Sequence, residues 1–201
     1  TGLASGAFVY EVALAPGGTR TFGFMSPLTR SHLYAYDTQG ADDPAAFFSA
    51  RQAETAAQWR EKLDRFDITL PPAAGPVEAV MKASLAHMLM SRQGPILQPG
   101  TRSYNRSWIR DGAMMAEGLN RLGHADLSAD YLRWFAPLVF DNGKVPCCAD
   151  SRGADPVPEN DSHGEFVFLA AEAYRYTGDA TLLRSVWPKV QGAIRYMDEL
   201  R

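Results

Sequence analysis

The chain has 201 residues, of which 46% are hydrophobic and 21% charged, and it carries a formal net charge of −3. That composition belongs to a folded globular protein, and the mild acidity leaves no basic footprint for nucleic acid or an anionic membrane, although sixteen of the twenty cationic residues are arginine. No apolar run reaches the ~18 residues a bilayer-spanning helix needs, and the N-terminus lacks a charged, apolar, small-residue signal pattern. The chain opens on Thr1 rather than Met, which takes the weight off that last point; localisation stays open, with the cytoplasm favoured.

In chain order, residues 8–14 and 19–25 alternate as strands do, and Pro16-Gly17-Gly18 between them predicts a β-hairpin. A lone hairpin is at best marginally stable in water, so the pair is expected to be the end of a larger sheet whose other strands lie elsewhere. Asp42-Asp43-Pro44 then reads as a helix start, and residues 47–66 carry apolar side chains at helical spacing, a long connector. Pro71-Pro72-Ala73-Ala74-Gly75-Pro76 is the clearest boundary in the chain. The expected organisation is therefore terminal β-sandwich strands over 1–40, a connector helix and linker over 41–75, and a helical domain over 76–201.

Beyond the boundary the pattern predicts helices over 77–90, 111–122, 126–138, 162–176 and 181–200, the first four stopped by Gly or Pro signals. Short links alternate with long ones. Short links join antiparallel neighbours, whereas residues 93–110 and 141–162 form long polar links rich in Gly, Pro, Asp, Asn and Arg, the segments where function concentrates. Both long links are expected to emerge at the same end of the helices, because each follows the second helix of a hairpin.

The densest chemistry lies in Tyr104-Asn105-Arg106-Ser107-Trp108-Ile109-Arg110-Asp111-Gly112. A sugar presents hydroxyls that take bidentate partners and C–H faces that stack on aromatic rings. Trp108 and Tyr104 beside Arg106, Arg110 and Asp111 can meet both needs. A helix-start cap with a surface ion pair explains the Arg-Asp pair equally well. Glu159, Asp161 and Glu165 cluster around the start of the fourth helix, where Glu165 reads either as a catalytic carboxyl or as part of a capping box with Asp161 or Ser162. His163 reads as a helix-start hydrogen bonder; Trp134, Trp187 and the Met114-Met115 pair read as packing. Cys147 and Cys148 are adjacent, so they read as two thiols on a turn, and the four scattered histidines offer no metal-ligand spacing. No metal and no cofactor is expected.

Arg106-Ser107-Trp108-Ile109-Arg110-Asp111, Asn160-Asp161-Ser162-His163-Gly164-Glu165 and Tyr174-Arg175-Tyr176-Thr177-Gly178-Asp179, set after a sandwich ending and a connector helix, together resemble the six-hairpin glycosidases, in particular glucoamylase-like enzymes. The resemblance spans most of the chain and implies a mainly α fold: a partial six-hairpin α/α toroid preceded by the end of a β-sandwich and a connector helix. It implies that Arg110 and Asp111 hold hydroxyls of a terminal sugar, and that Thr177 to Asp179 form a structural joint. Such enzymes flank the scissile bond with two carboxylates, roughly 6.5–9.5 Å apart when configuration inverts. The resemblance places the main acid and base beyond Arg201, with Glu165 the local exception. The expected partner is an oligosaccharide or polysaccharide, alongside the remainder of the chain's own toroid, with no nucleic acid and no membrane. A disaccharide phosphorylase of the same fold and a non-catalytic carbohydrate-binding module are the alternatives.

Overall fold

The computed structural model describes residues 5–24 and 43–201, in two compact units, Thr1–Arg60 and Glu61–Arg201. In the first unit the chain turns at Pro16-Gly17, where the Gly18 N–H donates to the Ala15 carbonyl at 2.8 Å. The arms on either side face one another through rings: Phe8 and Phe24 have centroids 5.7 Å apart, Tyr10 and Phe22 4.4 Å. The expected hairpin is thus present as a turn with facing aromatics, but residues 5–24 form no strand ladder, and all of them are exposed. Two arms whose described residues are all exposed bury no apolar face between them, which is what a ladder needs to persist. Met25, and the rest of the stretch to Asp42, lie outside the described residues.

The connector is helix α1, Pro44–Leu63. Asp43 starts it, its Oδ1 accepting the N–H groups of Ala45 and Ala46 at 2.9 and 3.1 Å, and Pro occupies the first helical position, where a missing N–H costs nothing.

The second unit holds five further helices: α2 (Gly75–Ser91), α3 (Ile109–Arg121), α4 (Ala125–Phe135), α5 (Ser162–Thr177) and α6 (Ala180–Glu199). Each overlaps an expected helix, with ends displaced by a few residues. A 3₁₀ turn, Ala136–Leu138, prolongs α4. The periodicity behind them is direct: α3 buries Ile109, Ala113, Ala116 and Leu119, α4 buries Ala129, Leu132 and Phe135, and α5 buries Phe166, Leu169, Ala170 and Ala173, all at three- and four-residue steps. Asp179 caps α6 by accepting the N–H groups of Thr181 and Leu182. Links of two or three residues fold α3 against α4 and α5 against α6, and α5 also packs on α3 and α4. The core therefore sits among α3, α4 and α5, around Tyr131, Phe135, Phe166 and Leu169, each fully buried. Burying one such aromatic stabilises by about 1.5–3 kcal/mol relative to leaving it in water. Alanines at 113, 116, 170 and 173 let the helices approach closely.

A small sheet was not expected from the sequence. Strands β1 (Ser107–Trp108), β2 (Cys148–Asp150) and β3 (Gly153–Ala154) pair antiparallel in that order, with Ser107 opposite Ala149 and Trp108 opposite Cys148. Strands of two or three residues are too short to show a two-residue period, so no sequence pattern announces them. This sheet joins the two long links. The second link is further fastened at Gly143, whose φ of +89° and position against Gly192 leave no room for a side chain: an added Cβ would stand 2.1 Å from the Gly192 carbonyl oxygen. Among the described residues no helix is long and apolar enough to cross a membrane.

Candidate functional site

The sheet delivers residues 104–111 and 148–165 to one place. Ser107 and Ile109 are buried, and the Ile109 N–H donates to the Cys147 carbonyl at 3.0 Å, which turns the chain from β1 into α3 and leaves Arg110 exposed between them. Arg110 Nη2 donates to Glu159 Oε2 at 2.7 Å, and its Nε bonds Asp161 Oδ2. These are charge-assisted contacts in a fork geometry that lysine cannot reproduce. Asp161 is consequently held below the usual carboxylate range, with Arg110 as the main cause.

Glu165 is half-buried one turn into α5, and its carboxyl is pushed up, first by burial and then by the nearby negative charge of Asp161, against the opposing pull of Arg110. The two acids are driven in opposite directions, the arrangement from which acid and base roles are built. The capping box does not form: α5 has no side-chain cap, the Asp161 carboxylate being taken by Arg110, while Ser162 Oγ is buried without a hydrogen-bond partner.

Arg106 behaves differently from the expectation of a sugar ligand. Its Nη2 donates to Asp155 Oδ2 at 2.6 Å, and its Nε lies 3.2 Å from Asp150 Oδ2. Arg152 grips Asp150 from the other side. The guanidinium stands 5.8 Å from the Trp108 ring centre, within cation–π range. Arg106 therefore ties the start of β1 to the end of β2 and to the chain just past β3. Asp150 and Asp155, its partners, were missed by sequence reasoning, because nothing along the chain relates them to a residue more than forty positions away.

Tyr104 is exposed at the end of the 3₁₀ turn Arg102–Tyr104, its ring centre 6.3 Å from that of Trp108 with the planes tilted by 51°. Asp111 has no hydrogen bond or ion pair among the described residues. It borders a cleft of about 320 Å³ together with His87, Ser91, Gln98, Met114 and Met115. Met114 is 64% exposed there, so it is not the packing residue its spacing suggested, whereas Met115 does pack against the core. His87, Ser91 and Gln98 are additions that the sequence did not single out; helical spacing conceals a residue that faces a cleft rather than a core.

His163 is buried at the start of α5, stacked on Tyr196 with ring centres 5.0 Å apart, and its Nε2 accepts the Val145 N–H at 3.2 Å. It joins link, α5 and α6, and burial lowers its pKa. Trp134 stacks on Tyr131 at the edge of the core, in keeping with a packing role.

Cys147, Cys148 and Asp155 bring ligand atoms within 4.8 Å of one another. The donor set is committed elsewhere: Asp155 accepts from Arg106 and from the Val157 N–H, and burial pushes the Cys148 thiol up to about 12. A metal there would have to take Asp155 from Arg106, so the donor set is committed to the ion pair as it stands.

No protein-family model, no curated protein and no solved structure matches this chain.

Proposed function

We propose that residues 76–201 are the first hairpins of an α/α toroid and carry part of the substrate pocket of a glycoside hydrolase acting on an oligosaccharide or α-glucan. The observation that carries this reading is the Arg110 clamp on Glu159 and Asp161, with the neighbouring Asp111, unpaired among the described residues, bordering a cleft, and the Tyr104–Trp108 pair on the same link. Sugar hydroxyls need acceptors and donors fixed in direction, and sugar C–H faces need an exposed aromatic plane. Asp111 is the free acceptor, Glu159 and Asp161 are acceptors oriented by Arg110, and Trp108 and Tyr104 offer the rings. Arg110 acts mainly by orienting those carboxylates, since two of its nitrogens are already spent. Glu165 is the candidate proton donor, its carboxyl staying protonated to higher pH than its neighbour's.

Calorimetric titration with maltotriose, followed by a chromogenic α- and β-glycoside panel with and without inorganic phosphate, tests the reading. Hydrolysis independent of phosphate is expected of the full-length protein, in which the remaining hairpins complete the pocket. Turnover only with phosphate would mark a phosphorylase, binding without turnover a carbohydrate-binding module, and neither binding nor turnover would overturn the proposal.

A further inference from the structure

Between Ser107 and Gly112 the chain exposes Arg110 most and Trp108 and Asp111 in part, while Ser107, Ile109 and Gly112 are buried. The sheet holds this segment from one side, through Trp108 opposite Cys148 and the Ile109 N–H on the Cys147 carbonyl. From the other side it is held by one atom, the phenol oxygen of Tyr131 on α4. That hydroxyl is 3.0 Å from Ser107 Oγ, both residues being fully buried, and 3.5 Å from the Trp108 carbonyl oxygen. It also fills the space beside Gly112, where an added Cβ would lie 2.1 Å from the oxygen and 2.3 Å from Cζ. The ring behind it is wedged between neighbours: Trp134 stacks at 5.9 Å and Phe135 tilts against it at 5.8 Å. A buried phenol thus lies against the residues on both sides of Arg110 and Asp111.

We propose that Tyr131 is the positioning residue of this site: its hydroxyl, braced by the α4 aromatics, fixes the 107–112 segment and with it the orientation of Trp108, Arg110 and Asp111 toward a saccharide. The part concerning the saccharide rests on the function proposed above; the part concerning the segment does not. A hydroxyl acting only as core filler would be replaceable by any apolar ring, and its loss would loosen the whole helical packing evenly. A positioning hydroxyl instead has a local signature, because removing it leaves Ser107 buried without a partner at the one place where the chain turns from β1 into α3.

The test compares Tyr131→Phe, Ser107→Ala and the double variant with Phe135→Leu, a core change next to Tyr131 that removes no hydrogen bond to the segment. Amide hydrogen exchange and maltotriose affinity are measured on each. Tyr131→Phe and Ser107→Ala should each speed exchange of residues 107–112 by about tenfold or more while leaving α5 and α6 protected, and the double variant should be no worse than either single change, since both remove one bond. Maltotriose affinity should fall about tenfold in the same variants and remain near the parent value in Phe135→Leu. Exchange that accelerates evenly through α3, α4 and α5 in Tyr131→Phe, as expected of Phe135→Leu, would overturn the proposal, and so would additive effects of the two single changes. If exchange responds locally but the parent does not bind maltotriose, the positioning role stands and the saccharide reading falls.

Discussion

Trp108 and Cys148 stand opposite one another in antiparallel register, forty positions apart in sequence, and this pairing joins the aromatic loop to the carboxylate-bearing link. The two neighbouring thiols are buried, and burial pushes the Cys148 thiol up to about 12. Because the thiolate is the reactive form, the native protein should be almost inert to a disulfide reagent at pH 8, and both cysteines should react once it is unfolded in denaturant. Rapid labelling of the native protein would show that the sheet does not seal this pair.

Arg110→Ala and Asp111→Asn should each weaken saccharide binding by about 10–100-fold, the size of a lost charged hydrogen bond. Arg110 and its partners are substantially exposed, so the melting temperature should change little in either variant. Calorimetric titration with the saccharides bound by the parent, paired with thermal melts, separates the two effects; parental affinity in both variants would remove these residues from the site.

Gly143→Ala should be destabilising by about 1–3 kcal/mol from overpacking, before the strain of a positive φ is added. Gly192→Ala is the milder partner: its added Cβ meets the Gly143 Cα at 3.3 Å, and its own backbone is not left-handed. Urea denaturation of the two variants should rank them in that order, and equal midpoints would show that the link is free to move away from α6.

Burial holds both His163 and His124 below the ordinary imidazole value of 6.5. The unfolded chain therefore takes up protons first as the pH falls, so these groups leave stability intact above about 6.5 and erode it as the pH drops toward their folded values. Protonation of His163 would also cost the Val145 bond, because a charged ring has no acceptor nitrogen. Asp161 and Asp155 are shifted down and lose their contribution only below the normal carboxylate range, a separate and more acidic window. Denaturation midpoints between pH 7.5 and 5 should decline in the parent and decline less in His163→Gln. Matching slopes in the two proteins would assign the decline elsewhere.

Much of the helical layout was legible in the sequence, because the information needed was local. Apolar residues every three or four positions, an Asp at the start of α1 and another at the start of α6, and a Gly or Pro just past the ends of α2, α3, α4 and α5 determine where a helix can begin and end whatever surrounds it. The sequence likewise marked the two long links as segments combining charge and aromatics outside the helical packing, and the fold brings them together. Tertiary structure decided the pairing. Arg106 and Arg110 have the same side chain on the same link, yet Arg106 is spent on Asp150 and Asp155, while Arg110 orients Glu159 and Asp161. Which arginine meets which carboxylate depends on the β1–β2 register and on how Tyr131 seats the segment, contacts between residues some twenty to fifty positions apart that leave no periodic trace in the chain. The exposure of Met114 and the use of Asp161 as a ligand of Arg110 rather than a cap were settled in the same way, by which neighbour packing brought within reach.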